Sequence, residues 1–128
     1  DEAHIQHWVE NAGEQSISKE QLEEVLERKN VKNVELVKGD VVQTIPQYLK
    51  NNPNLQISLL NLDTDIYDPA VTILENFWPR IVPGGVLILD DYSVFPGETK
   101  AVDDFFKGTD VQIQKFPFAA TPHYIVKK

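Results

Sequence analysis

The chain has 128 residues, with 20 acidic against 12 basic side chains and a formal net charge of −8. This length is typical of a single domain, and the acidic surplus disfavours nucleic acid or an anionic membrane surface as a partner. There is no cysteine, which excludes disulfides and thiolate metal sites and leads us to expect a cytoplasmic protein. No apolar run reaches the roughly 18 residues of a membrane-spanning helix.

The first third of the chain is predicted to be mostly helical. Apolar residues at helical spacing indicate a short amphipathic helix over residues 3–12. Ser18 followed three residues later by Gln21 has the pattern of a capping box and predicts that a second helix begins there. Residues 34–37 read as a strand, and residues 44–49 as a helix with a proline in its first turn.

The rest of the chain alternates between apolar runs and helical patterns. The predicted elements are strand 56–62, helix 69–78, strand 86–90, helix 101–106, and a closing strand pair at 112–116 and 123–127. Such alternation predicts an α/β fold whose mostly parallel sheet has right-handed crossovers. An antiparallel pair can close a sheet of this kind.

Two acidic clusters follow the two central strands. Asp63-Thr64-Asp65 comes after the first strand, and Asp90-Asp91 comes after the second. Ligands of open α/β sheets bind beyond the carboxyl ends of the strands, where four carboxylates would repel one another and attract a cation. Their hard oxygen atoms suit Mg²⁺ or Ca²⁺. The alternative is that the first pair caps the following turn and the second pair belongs to a solvated loop.

Several motifs occur together at a specific spacing. They are Gly39-Asp40, Thr44-Ile45-Pro46, Asp63-Thr64-Asp65-Ile66-Tyr67, Trp78-Pro79-Arg80, Pro83-Gly84-Gly85, Leu89-Asp90-Asp91-Tyr92, Pro96-Gly97 and Ala101-Val102-Asp103-Asp104-Phe105. Over roughly residues 34–128 they resemble the macrocin O-methyltransferase family. These are class I enzymes that use S-adenosylmethionine to methylate sugar hydroxyls of antibiotics.

The resemblance implies a three-layer, Rossmann-like methyltransferase sheet that is truncated, because its first two strands have no counterpart here. We expect one partial domain over residues 1–128, with a helical lead-in at 1–33 and the α/β core at 34–128. The chain starts with Asp1 and has no methionine, so we expect it to be a piece of a longer protein. The strand at 34–37 would then pair with 56–62, with another copy in a homo-oligomer, or with a missing part.

The resemblance also assigns roles to individual residues. Asp63, Asp90 and Asp91 would ligate Mg²⁺, and Asp65 would act as the general base toward a small-molecule hydroxyl, such as that of a sugar. Asp40 would contact the adenine of S-adenosylmethionine; the alternative is a turn residue with local backbone bonds. The glycine-rich loop with which class I enzymes hold this cofactor has no counterpart in the sequence.

Other functional interpretations remain open at this stage. The chain could be a non-catalytic acidic α/β module that binds a partner or a metal, or another sugar-tailoring enzyme. Tyr67 and Tyr92 either line an acceptor pocket or pack in the core with their hydroxyls at its rim. The segment around Pro96 is either a lid or an ordinary connection, and His123 is either a base or a structural residue.

Overall fold

The computed structural model describes residues 16–128, and the chain divides into two compact units, residues 1–38 and 39–128. The predicted helix at 3–12 lies outside the described residues. Across the described part of the chain, no helix has both the length and the apolar character needed to cross a membrane.

The first unit contains helix α1, Lys19–Arg28. Its capping box is confirmed, because Gln21 N donates to Ser18 Oγ at 3.1 Å and Ser18 N donates to Gln21 Oε1 at 2.8 Å. The strand predicted at 34–37 is wrong, since residues 34–38 have no regular secondary structure. A strand needs a neighbour to bind its backbone groups, and no ladder among the described residues includes this segment.

The second unit alternates helices and strands. Its elements are α2 (Val41–Asn51), β1 (Ile57–Leu62), α3 (Tyr67–Phe77), a 3₁₀ turn (Trp78–Arg80), β2 (Ile81–Leu89), α4 (Pro96–Phe106), β3 (Gln114–Lys115) and β4 (His123–Val126). The sheet order is β1-β2-β4-β3, with β1 parallel to β2 and β4 antiparallel to both of its neighbours. Three of the four strands therefore run in the same direction. The predicted α/β class and its closing antiparallel pair are confirmed.

Three helices begin earlier than predicted, and α3 does so by only two residues, at Tyr67. Helix α2 starts at Val41, because Asp40 caps it and accepts a hydrogen bond from Val42 N at 2.9 Å. Helix α4 starts at Pro96, whose fixed φ suits the first position of a helix. The segment around Pro96 is consequently the first turn of a helix, so the interpretation as an ordinary connection is wrong, while the lid remains a prediction.

Strand β2 also begins earlier, at Ile81, and passes through the Pro83-Gly84-Gly85 segment that we predicted to lie before it. The two glycines still pair through their backbones: Gly84 N donates to Lys127 O at 2.7 Å, and Lys127 N donates to Gly85 O at 2.9 Å. A Cβ on Gly85 would lie 2.6 Å from Ile81 Cγ2. Glycine is therefore required here by close packing.

The core lies on one face of this sheet. Leu62, Leu87, Leu89 and Ile125 are almost completely buried there, and they form one cluster with apolar residues of α2, α3 and α4. Side chains of the other face are more open, and Leu59 is 60% exposed. Burial on only one face means that leucines on opposite faces of neighbouring strands differ in their contribution to stability.

Leu87→Ala and Leu59→Ala form a matched pair that tests this assignment. We expect Leu87→Ala to lower the free energy of unfolding by about 2–5 kcal/mol, because it leaves a cavity in the core. Leu59→Ala should cost less than about 1 kcal/mol. Urea denaturation measures both values, and equal losses would contradict an open second face.

Candidate active site

The two central strands end at the same edge of the sheet. Leu62 is in register with Leu89, and Asp90 N donates to Leu62 O at 3.0 Å, which extends the parallel ladder by one residue. Because parallel strands share their direction, Asp63 and Asp90 both follow strands at this carboxyl edge. It is the edge at which open α/β sheets bind ligands.

Three of the predicted carboxylates meet there. Each of Asp63, Asp65 and Asp91 has an oxygen within 4.8 Å of an oxygen of the other two. Asp90 is not a member of this group, although its charge is close enough to raise the pKa of Asp63. The structure thus assembles an acidic group like the predicted one, with Asp65 in the place that the prediction assigned to Asp90.

Asp65 has an unusual backbone conformation. Its φ of 60° lies in the left-handed region, within a three-residue turn in which Ile66 N donates to Thr64 O. This conformation costs a residue other than glycine roughly 1–2 kcal/mol, and asparagine and aspartate tolerate it best. Local strain of this kind is concentrated at functional sites.

Like charges dominate the electrostatics of the edge. Hydrogen bonding to the Asp65 carboxylate, burial and the charges of Asp65, Glu98 and Asp63 raise the pKa of Asp91 to about 7. Burial and the charges of Asp90 and Asp65 also raise the pKa of Asp63. Ion pairs at Lys19–Glu23, Lys100–Asp104 and Lys128–Asp110 lie elsewhere in the chain. No described lysine or arginine pairs with these carboxylates, so a bound cation would relieve their repulsion.

Glu98 is a site residue that the sequence analysis missed. It is completely buried in the first turn of α4, and it accepts hydrogen bonds from Asp91 N at 3.2 Å and from Thr64 N at 3.5 Å. Burial raises its pKa to about 7 even though the two amides favour the charged form. A proline-glycine pair just before an acidic residue was the available signal, because it is consistent with a helix start.

The remaining candidates have mainly structural contacts. Tyr67 Oη donates to Asp104 Oδ2 at 3.0 Å and Tyr92 Oη donates to Asp103 Oδ1 at 2.8 Å, which supports the interpretation of hydroxyls at the rim. The ring of His123 packs edge-on against Tyr92, with centroids 5.1 Å apart. His123 Nδ1 is buried, with no hydrogen-bond partner among the described residues.

Asp40 lies before α2 and serves as its N-cap. Its contact with Val42 N is the local backbone bond that the alternative interpretation anticipated. The adenine contact remains a prediction.

Comparison with known proteins identifies the class to which this fold and site belong. The model of the macrocin-O-methyltransferase (TylF) family matches residues 2–117. The chain therefore belongs to the macrocin-O-methyltransferase family. This match begins upstream of the segment that carried the resemblance and ends before β4.

Individual relatives agree with this family. A tetracenomycin-type rhamnosyl 4'-O-methyltransferase of Streptomyces olivaceus is 36% identical over 59 residues, which is 43% of this chain and 23% of that protein. Demethyldecarbamoylnovobiocin O-methyltransferase of Streptomyces niveus is 30% identical over 88 residues, which is 66% of this chain and 33% of that protein. The chain thus aligns with a third or less of the length of these relatives.

Solved structures share the fold. The apo structure of CalS11, a TDP-rhamnose 3'-O-methyltransferase, is 30% identical with a TM-score of 0.73, covering 82% of this chain and 49% of the other. The O-methyltransferase NovP is 22% identical with a TM-score of 0.76, covering 88% and 46%. The second similarity is at the level of the fold alone.

The raised pKa values predict how stability depends on pH. Asp91 and Glu98 have pKa values of about 7 in the folded chain, against ordinary values of 3.8 and 4.5. Their protonated forms stabilise the fold at low pH, and this stabilisation is lost as pH rises through about 7. We expect the melting temperature to fall between about pH 6 and pH 8, where ordinary carboxyls are already ionised.

Differential scanning calorimetry measures this fall, with Asp91→Asn as the variant that should reduce it. Added Mg²⁺ should raise the melting temperature more at the higher pH, where the carboxylates are ionised. A flat profile in the unmodified chain would contradict the proposed crowding of carboxylates.

Proposed function

We propose that the chain forms the acceptor side of an S-adenosylmethionine-dependent, Mg²⁺-assisted O-methyltransferase. Its substrate would be a hydroxyl group of a sugar or a related small molecule, and its location the cytoplasm. The observation that carries this proposal is the group formed by Asp63, Asp65 and Asp91 at the carboxyl edge of the sheet. Membership of a family whose relatives are named as sugar O-methyltransferases supports the substrate class.

The chemistry of the carboxylates fits a divalent metal. Oxygen atoms of three side chains lie within 4.8 Å of one another, and two of these side chains have raised pKa values because of burial and negative neighbours. Hard carboxylate oxygens are the ligands that Mg²⁺ prefers. When bound, Mg²⁺ would orient the acceptor hydroxyl and lower its pKa.

We propose that Asp63, Asp90 and Asp91 hold the metal and that Asp65 accepts the proton of the acceptor hydroxyl. An aspartate with an ordinary pKa of about 3.9 is too weak a base to ionise a sugar hydroxyl unaided. In the net reaction the hydroxyl oxygen gains the methyl group of S-adenosylmethionine as the bond from that methyl group to sulfur breaks, the sulfonium leaves as the neutral thioether S-adenosylhomocysteine, and the hydroxyl proton passes to Asp65. Fixing the hydroxyl close to this base is the contribution that the chain itself makes.

A second ligand set is supported by the geometry. Asp65 belongs to the compact group and Asp90 does not, so Asp65 could be the third ligand. Asp90 would then act through its negative charge, which helps to raise the pKa of Asp63. The two sets differ in which substitution weakens metal binding.

The described residues offer fewer candidates for binding the methyl donor, S-adenosylmethionine, than for binding the acceptor. They contain no glycine-rich turn from strand to helix of the kind that holds S-adenosylmethionine, since Gly84 and Gly85 lie inside β2 and Gly97 lies inside α4. Asp40 remains the proposed contact for adenine. No step of the reaction is assigned to residues that would hold the sulfonium.

A non-catalytic metal-binding module is the competing function. The chain covers 49% of the CalS11 chain and 46% of the NovP chain, and its described residues lack the glycine-rich turn. Such a module would bind Mg²⁺ without S-adenosylmethionine. Isothermal titration with Mg²⁺ and then with S-adenosylmethionine measures the affinity for each. Together with a methyl-transfer assay on a nucleotide-linked deoxysugar, these titrations distinguish a metal-binding module from a working enzyme.

Strand β1 is at the edge of the sheet, and its outer side has no paired strand among the described residues. This edge, and not the segment at 34–37, is where a second copy could add a strand and form a homo-oligomer. Light scattering measures the mass of the particle in solution.

Asp90→Asn and Asp65→Asn test the assignment of ligands and base. Under the proposed roles, Asp90→Asn should weaken Mg²⁺ binding by about tenfold or more. Asp65→Asn should retain Mg²⁺ binding, and asparagine also tolerates the left-handed backbone at this position. Calorimetric titration with Mg²⁺ measures both affinities.

Asp110→Asn is the matched control, because Asp110 is exposed and pairs with Lys128 away from the acidic group. The Asp110→Asn variant should bind Mg²⁺ with the same affinity as the unmodified chain. The reverse pattern, in which Asp65→Asn weakens binding and Asp90→Asn does not, would establish the second ligand set.

A further inference from the structure

The first turn of α4 packs directly against the loop that carries Asp65. A Cβ on Gly97 would lie 2.7 Å from Ile66 Cα and 2.8 Å from Asp65 O, so the helix approaches this loop as closely as a glycine allows. Glu98 N donates to Asp65 O at 3.2 Å. The helix is therefore bonded to the first acidic loop through its backbone.

The side chain of Glu98 connects the same helix turn to both acidic loops. Its Oε1 accepts from Asp91 N at 3.2 Å, and its Oε2 accepts from Thr64 N at 3.5 Å. One buried carboxylate thus binds an amide from the loop after β1 and an amide from the loop after β2. Burying a carboxylate next to other carboxylates is unfavourable unless hydrogen bonds compensate for it.

We infer that Glu98 is a positioning residue that sets the distance between the two acidic loops and thereby the spacing of Asp63, Asp65 and Asp91. This inference rests on the proposed metal site, because a cation is the ligand for which that spacing matters. Glu98 itself belongs to neither proposed ligand set. It acts through the backbone of the residues that carry the ligands, as outer partners do in metal sites.

Two variants separate the effect of the side-chain length of Glu98 from the effect of its charge. Glu98→Asp keeps the negative charge but is shorter by one carbon–carbon bond of about 1.5 Å, so it cannot bind both amides. Glu98→Gln keeps the length but presents an NH₂ group to one of the two N–H donors. If Glu98 acted only by attracting the cation, Glu98→Asp would keep the affinity and Glu98→Gln alone would lose it.

The experiment measures two quantities in the full chain: the affinity for Mn²⁺ alone, by calorimetry, and the hydrogen-exchange rates of the Thr64 and Asp91 amides, by NMR. We expect both Glu98 variants to lower the Mn²⁺ affinity by about tenfold or more. Both amides should exchange faster, with the larger change at Asp91, whose hydrogen bond is the shorter. Glu75→Gln, which removes the same charge from an exposed site on α3, should change neither quantity.

If the Glu98 variants do not fold, Gly97→Ala is a second way to change the distance between α4 and the loop that carries Asp65. It keeps the carboxylate but moves the helix away from the loop, and it should also weaken Mn²⁺ binding. In the unmodified chain the Asp91 amide should be protected from exchange. An amide that exchanges at the unstructured rate overturns the inference without any variant.

The remaining outcomes are equally decisive. Faster exchange in the variants with unchanged Mn²⁺ affinity would reduce Glu98 to a stabilising residue and overturn the positioning role. Loss of affinity in Glu98→Gln but not in Glu98→Asp would also overturn it. If the unmodified chain binds no Mn²⁺, the proposed function fails, and with it the positioning role at a metal site. The exchange rates would still show whether Glu98 joins the two loops.

Discussion

The parallel pairing of β1 with β2 is the constraint on which the site depends. The register of Leu62 with Leu89 makes both strands end at one level of one sheet edge. The acidic residues that follow the two strands are therefore brought together even though more than twenty positions separate them along the chain. Burial, hydrogen bonding between Asp65 and Asp91 and the crowding of negative charges raise the pKa values of Asp63 and Asp91, and this crowding is the reason for proposing a cation at the edge.

Two helices partly offset this repulsion. Helix α3 begins two residues after Asp65, and the first turn of α4 donates a backbone hydrogen bond to Asp65 O. The positive ends of both helix dipoles therefore lie beside the carboxylates. The carboxyl edge of the sheet combines a strained turn at Asp65 with a buried acid at Glu98. A sequence selected for stability alone would avoid both features.

Family membership and this geometry together support the proposed methyl transfer. The second unit has the sheet order β1-β2-β4-β3, and it has helices on the face that forms its core. Its acidic edge corresponds to the acceptor side of the proposed reaction. Counting residues 16–128 alone, the face at Leu59 is open and the outer edge of β1 is unpaired, and further protein could add to this unit at either place.

The sequence by itself determined the α/β class, the two central strands and the acidic residues after them. These features depend on local signals, which are continuous apolar runs, turn residues and the capping box at Ser18. Tertiary structure decided the rest. Among the described residues no strand pairs with residues 34–37, so this segment forms no ladder there. Side-chain and backbone contacts moved the starts of α2 and α4 to Val41 and Pro96. The contacts of Glu98 exist only in the folded chain, because the two amides that its carboxylate binds lie 34 and 7 positions away in the sequence.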